Sequence, residues 1–320
     1  MEQGSAVWAN PSSPHAEGRR ARAALEDARM RIKAALGWQG ELIFTSGASE
    51  ALGIALGRAK GGARLVSAVE HDAVLQAAPD AERLSVLADG QIDCDALREA
   101  VQREQPLVAV QTLNSETGAL QDESALAAII HDAGGLWLAD ASQSAGKRAL
   151  PQGADMVVAA AHKLGGPVGI GVLLLRDYAL LEPSGGHERG YRRGTENLPA
   201  ALGFAAALEA GAWSTKRAER AAFAAQLGAS VLPVARPADH ILALTHPQLS
   251  AQVLVIRLDA MGFAVSAGSA CSSGSLKPSR VLSAMGIAPA AAQRTIRVSL
   301  GWNTTVADLD AFVAAWAQLA

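Results

Sequence analysis

The stretch Met156-Val157-Val158-Ala159-Ala160-Ala161-His162-Lys163-Leu164-Gly165-Gly166-Pro167 decides how this chain is read: an apolar run ends in a histidine and a lysine, and glycines follow. Upstream, Leu136-Trp137-Leu138-Ala139-Asp140-Ala141-Ser142-Gln143 repeats the arrangement, with an aspartate and a glutamine after the apolar run. An open α/β sheet exposes functional groups at the carboxyl ends of its strands, so both runs read as strands that deliver polar groups to one rim. A lysine amine can join an aldehyde cofactor as a Schiff base, and a carboxylate can hold a ring nitrogen protonated so that the ring draws electrons. Taken alone, a His-Lys pair before glycines says little, because most lysines are solvated surface charges. Its companions along the chain carry the argument.

From about residue 14 to 176, short apolar or β-branched runs alternate with Ala/Leu-rich stretches, the sequence form of βα units around a largely parallel sheet. The fold class is therefore α/β. Strands are expected at 42–45, 64–69, 107–113, 136–139, 156–159 and 170–175, with helices at 50–58, 93–104 and 123–133. Ser13-Pro14 reads as the start of an earlier helix, whose Ala21, Leu25, Ala28, Ile32 and Leu36 share one face up to Gly37. A long Ala-rich helix at 199–226 leads into helices at 251–261, 278–285 and 307–319 and strands at 241–245 and 295–300. These read as a second, smaller α/β domain. The expected division is a large domain over 14–212 and a small one over 213–320, with residues 1–13 packing near the small one.

The 320 residues, 50% of them hydrophobic, suffice to bury such cores. A net charge of −3 with both signs dispersed, and no polybasic run, leave no footprint for nucleic acid or an anionic membrane surface. Apolar stretches are interrupted well before the ~20 residues of a membrane span, and no basic-then-apolar leader opens the chain, so a cytoplasmic location is expected. Two cysteines are too few for a secreted disulfide scaffold and lack zinc-ligand spacing. Cys94 lies between carboxylates in Asp93-Cys94-Asp95 that discourage a thiolate, and reads as structural. Cys271 stands among Gly and Ser in Ser266-Ala267-Gly268-Ser269-Ala270-Cys271-Ser272-Ser273-Gly274-Ser275. It reads as a thiol on an exposed loop with little apolar cover, where it can ionise.

Other strand ends carry polar groups too. Ser46-Gly47-Ala48-Ser49-Glu50 passes from a strand through glycine into a helix, which points backbone N–H groups and a hydroxyl at one spot and suits a phosphate, though such starts also serve as plain caps. Glu70-His71 places an imidazole where it can stack on a ring and move protons near neutral pH, or cap the next helix. Asn114-Ser115-Glu116-Thr117-Gly118 supplies further polar groups and is also ordinary turn chemistry.

With these motifs in this order, the chain resembles the cysteine desulfurases of the NifS and IscS type, in the class V aminotransferase group of pyridoxal-phosphate enzymes. The resemblance runs from Asn10-Pro11-Ser12-Ser13 through Gly186-His187-Glu188-Arg189-Gly190 and Arg193-Gly194-Thr195-Glu196-Asn197 to Ile296-Arg297-Val298-Ser299-Leu300-Gly301. Its most diagnostic part is the Cys271 segment, where the family carries its sulfur-accepting cysteine. It implies a fold type I transferase with a mostly parallel seven-stranded sheet and a smaller C-terminal α/β domain. The implied reaction converts L-cysteine to L-alanine and a Cys271 persulfide, for iron–sulfur cluster or thio-cofactor biosynthesis.

By the same resemblance, Lys163 carries the cofactor and abstracts the Cα proton, Asp140 holds the pyridine nitrogen, and Gln143 contacts the ring hydroxyl. His71 stacks on the ring and handles the substrate thiol proton. Ala48, Ser49 and His162 meet the phosphate, and Thr195 is donated from the other subunit of a homodimer. Arg297 takes the substrate carboxylate through a planar fork that a lysine cannot duplicate, and Asn10 lies on the substrate side. No metal site is implied; a transient iron–sulfur contact at Cys271 stays open, and a sulfur-acceptor or scaffold protein is the implied partner. The chain departs from the family at Ala160, where a phosphate-binding serine is usual, at Ser115, where an asparagine meets the ring hydroxyl, and at Val168, which replaces a lysine. The stretch 229–239 is shortened, and residues 1–9 stand in for a strand and an Ala-Thr-Thr turn, which implies a reduced substrate side wall. Each hydrogen bond lost to a charged phosphate costs ~1.5–3 kcal/mol, so weaker cofactor binding is expected. Two other readings stay open: another class V enzyme, such as a selenocysteine lyase or aminotransferase, which would not need Cys271, and a non-catalytic paralogue that binds cofactor or a partner without turnover.

Overall fold

The computed structural model describes residues 1–211, 213–268 and 279–319. Its larger sheet comprises β1 (Glu41–Thr45), β2 (Arg64–Ser67), β3 (Glu82–Leu84), β4 (Leu107–Ala109), β5 (Leu136–Asp140), β6 (Met156–Ala160) and β7 (Gly171–Leu175). Among the described residues these form a seven-stranded sheet in the order β1-β7-β6-β5-β4-β2-β3. All neighbours from β6 through β3 run parallel, and β7 is antiparallel to both β6 and β1. The remaining strands, β8 (Ile241–Thr245), β9 (Ser266–Ala267) and β10 (Thr295–Ser299), make a second, antiparallel sheet in the order β8-β10-β9.

The large sheet is covered on both faces, which is why its strands read as unbroken apolar runs. Successive side chains alternate: Ile43, Leu138, Val158 and Leu173 pack on one side with Leu52 and Leu56 of the helix Ala48–Arg58. Phe44, Trp137, Val157 and Leu174 pack on the other with Leu25 and Ile32 of the helix Ala16–Leu36 and Phe204 of the helix Leu198–Ala210. The small sheet has a core of its own, in which Leu242, Leu244, Ile296 and Val298 meet Leu254, Phe312 and Trp316.

Several expected boundaries move, each for a local reason. The first long helix begins at Ala16 rather than at Pro14, because the His15 ring caps it by accepting from the Gly18 N–H at 3.1 Å. The single helix expected at 199–226 is two, Leu198–Ala210 and Arg217–Leu227; Gly211, with φ of 49°, takes the left-handed conformation that ends the first. The short edge strand β3 escapes the sequence pattern because two of its three residues, Glu82 and Arg83, are polar and exposed. Residues 1–13, expected beside the small domain, instead send the helix Glu2–Ala6 against the helix Leu198–Ala210. Gly4 allows this, since a Cβ there would sit 2.5 Å from the Pro199 Cα.

One edge of the large sheet is closed by side chains. Glu188, 4% exposed, accepts the Phe44 N–H at 2.8 Å, and its partner Arg29 donates to the Leu42 carbonyl at 2.6 Å. The two side chains pair with each other at 2.8 and 3.1 Å, so together they satisfy the open hydrogen-bonding edge of β1 as a neighbouring strand would. Arg29 also lies over the Phe44 ring at 4.7 Å. Glu188 and Arg189 both hold positive φ, 47° and 56°, a conformation that costs a side-chain-bearing residue energy and persists because the ion pair fixes it. Removing one member of a buried pair strands the other charge, at a cost of ~3–5 kcal/mol. Glu188→Ala is therefore expected to lower unfolding stability by about that amount in a urea titration; a loss below ~1 kcal/mol would show that the pair does not anchor this edge.

Candidate active site

Because β2, β4, β5 and β6 run in one direction, their carboxyl ends share one rim, and a cleft of about 340 Å³ opens there. Beyond β2 come Glu70 and His71, beyond β4 come Gln111, Ser115 and Glu116, and beyond β6 come His162 and Lys163, all lining the cleft. Asp140 is the last residue of β5, with Ser142 and Gln143 just after it. From β1 the chain passes through Ser46 and Gly47 into the helix Ala48–Arg58, whose first turn forms one wall. Arg297 of β10 and Arg280 close the cleft from the side of the small sheet.

The donors gather at one end. Gly47 caps its helix without a side-chain acceptor, so the N–H groups at Ala48 and Ser49 face the cleft with the positive end of the helix behind them. Gly171 on the neighbouring strand is a packing requirement: a Cβ there would come within 2.8 Å of the Gly47 Cα and of the Ala159 carbonyl oxygen. His162 stands beside them, and burial, followed by the Lys163 charge, holds its imidazole below the ordinary range. A neutral imidazole keeps one N–H to donate.

At the other end Asp140 accepts from the Ser142 N–H at 2.9 Å, which turns its carboxylate into the cleft. The Ser142 hydroxyl is buried without a partner among the described residues. His71 caps the helix Asp72–Ala77, its Nδ1 accepting from the Ala73 N–H at 3.1 Å, and it also lines the cleft. Capping fixes the ring orientation. Arg297 spans the gap between the sheets, donating to the Ser115 carbonyl at 3.2 Å and to the Ser266 hydroxyl at 2.9 Å.

The cleft thus unites Ala48, Ser49, His71, Ser115, Asp140, Gln143, His162, Lys163 and Arg297, with Ala160 beside them. It does not include Asn10, which is exposed and accepts from the Ser12 N–H at 2.9 Å, nor Thr195, which is exposed elsewhere on the protomer. Cys271 lies outside the described residues. Cys94 lines a different cavity, and burial, followed by nearby aspartates against Arg98, pushes its thiol up and keeps it protonated.

Sequence reasoning passed over Glu70, Gln111, Glu116, Ser142 and Arg280 as site residues. Glu70, Glu116 and Ser142 were signalled by their places inside rim motifs; Arg280 was not, since only the fold brings it there. Glu116 accepts from the Ser279 hydroxyl at 2.5 Å, and burial raises its carboxyl despite that bond and the nearby Arg280 and Arg297. Glu70 is 1% exposed, and one of its oxygens accepts from the Gln111 N–H at 2.7 Å while the other has no partner among the described residues. Burial, with the Asp140 charge adding to it, holds the Glu70 carboxyl well above its usual range. The folded state therefore keeps a proton that the unfolded chain releases above pH ~4.3, and wild-type stability is drawn down as pH rises from there. Glu70→Gln cannot lose that proton, so its stability relative to wild type should climb between pH ~4.5 and ~8 in denaturant titrations. Parallel curves for the two proteins would mean that Glu70 is ionised in the fold.

Helix-end N–H groups, a hydroxyl and an imidazole suit an anionic group, and an amine, a carboxylate and an unpartnered Ser142 hydroxyl lie beyond them. The donor set fits a phosphate-bearing aldehyde with a ring nitrogen. Site and sheet order together make the protein a fold type I α/β transferase.

Comparison with known proteins places it further. The chain belongs to the class-V aminotransferase family, whose sequence model, "Aminotransferase class-V", matches residues 2–312. It is 36% identical to a cysteine desulfurase of Frankia sp. (strain EuIK1), over 94% of this chain and 82% of that protein. Among solved structures, a NifS-like protein from Rickettsia africae ESF-5 superposes with a TM-score of 0.85 at 26% identity, covering 99% of this chain and 94% of that one. A structure described as SspA in complex with cysteine gives 0.80 at 28% identity, covering 94% and 93%.

Proposed function

We propose that the protein is a pyridoxal-phosphate-dependent cysteine desulfurase that converts L-cysteine to L-alanine and leaves the sulfur as a persulfide on Cys271. The observation that carries this reading is the convergence of Lys163, Asp140, Gln143, His71 and Arg297 on one cleft. Pyridoxal phosphate, when bound, supplies an electron sink for the charge left at the substrate Cα as its proton departs. The helix start at Ala48 and Ser49, with His162, would hold the phosphate, while Asp140 would keep the ring nitrogen protonated and Gln143 and Ser115 would face the ring hydroxyl. Ala160, without a hydroxyl, adds nothing to the phosphate grip.

Arg297 binds the substrate carboxylate, and Lys163 Nζ takes the proton from Cα and returns it. His71 accepts the substrate thiol proton. The Cys271 thiolate then attacks the substrate sulfur; the new S–S bond forms as the C–S bond breaks, its electron pair stays on Cβ, and that carbon takes up a proton. General acid–base help of this kind is worth ~10²–10⁴-fold. Thr195, exposed and away from its own cleft, suits contribution to the site of a second copy, so a homodimer belongs to the same proposal. So do an acceptor or scaffold protein for the persulfide and a cytoplasmic location; no described helix is long and apolar enough to cross a membrane. The division at 212/213 is proposed with them, supported by the separate cores of the two sheets.

The reading is tested by mixing purified protein, pyridoxal phosphate, L-cysteine and a reductant, and measuring alanine and sulfide together. Equal amounts of both are expected, with Lys163→Ala losing them and Cys271→Ser losing sulfur transfer. Turnover that survives Cys271→Ser would assign a different lyase or aminotransferase reaction, and none from wild type would leave a binding protein.

A further inference from the structure

His240 precedes β8 and is 2% exposed, yet it reaches the cleft-lining loop 97 residues earlier in the chain. Its Nε2 lies 3.1 Å from the Gln143 carbonyl oxygen, and its Nδ1 lies 3.3 Å from Oδ1 of Asp239. A carbonyl can only accept, so the Gln143 contact places a proton on Nε2 and makes the ring its donor.

Polar partners hold the ring from both sides. Asp239 is itself held by Arg220 at 2.9 Å, with Arg217 3.9 Å away, and Arg220 stacks over Trp213, whose ring meets the His240 ring edge-on at 5.7 Å. The His240 bond, ahead of Arg220, holds the Asp239 carboxyl well below the usual range against its burial. From the large-sheet side the facing cation is Lys147, which donates to the same Gln143 carbonyl at 3.1 Å. Burial, followed by the Lys163 charge, brings Lys147 down to about 8. The backbone of His240 is pinned as well, its carbonyl accepting from the Leu300 N–H at 2.9 Å.

We propose that His240 is a positioning residue for the cleft: an imidazole clamped between Asp239 and the Gln143 carbonyl, it ties the small sheet to the loop that presents Ser142 and Gln143 and so sets how Gln143 meets the cofactor. The last clause rests on the cofactor reading above. The clamp does not.

Two measurements separate them. In protein labelled with nitrogen-15 at histidine, His240 Nε2 should carry a hydrogen-bonded proton, whether or not cofactor is added; an Nε2 without a proton overturns the clamp. Pyridoxal phosphate is then titrated into wild type, His240→Gln and His240→Leu, following the visible absorption maximum and checking the fold by circular dichroism. Loss of one hydrogen bond predicts roughly tenfold weaker binding and a displaced maximum for His240→Leu. His240→Gln keeps an N–H for the carbonyl and should recover most of both. Wild-type affinity and spectrum in His240→Leu would overturn the positioning role, and failure of wild type to bind would overturn the cofactor reading while the nitrogen spectrum still decides the clamp.

Discussion

Parallel strand direction is the constraint on which the rest of the molecule depends. Four adjacent strands running the same way bring their carboxyl ends to one rim, and residues far apart in the chain, from Glu70 to Lys163, meet there without any local motif holding them. Reversing any one of these strands would carry its polar end to the opposite rim. The apolar faces keep the direction, since parallel strands need helices on both sides and each face has its own cluster of buried side chains.

The rim alone is an incomplete site. Arg297 and Arg280 come from beyond residue 279, and both are tied back to the large sheet: Arg297 through the Ser115 carbonyl, Arg280 through the carbonyls of Ala68 and Glu70. Gly118 permits the approach between the sheets, because its φ of 75° suits glycine and a Cβ there would lie 2.1 Å from the Ile241 carbonyl oxygen. These links end on backbone carbonyls of the large sheet rather than on Lys163, Asp140 or His162.

Most strands of the large sheet and the rim motifs were legible because an apolar run followed by a polar group is a local pattern. Lys163, Asp140, Gln143, His71 and Ser49 could be named from it, and the structure brings them together. Contacts that depend on chain reversal left no such trace. Glu116 beside Ser279, His240 beneath Gln143 and Glu188 on the open edge of β1 pair across 97 to 163 residues. The break at Gly211 was hidden by the Ala-rich stretches on both sides, where helix propensity outweighed one glycine in the reading and the left-handed turn outweighed propensity in the fold. Residues 1–13 were misplaced because nothing in their sequence says which surface Gly4 will meet.

The central claim is that the Lys163 amine is the group the rim is built to present. Incubating the protein with pyridoxal phosphate, reducing with borohydride and mapping the labelled peptides by mass spectrometry tests it most directly. The account predicts a single modified residue, Lys163, with the label lost in Lys163→Ala. Label on Lys147 or scattered over surface lysines would contradict it.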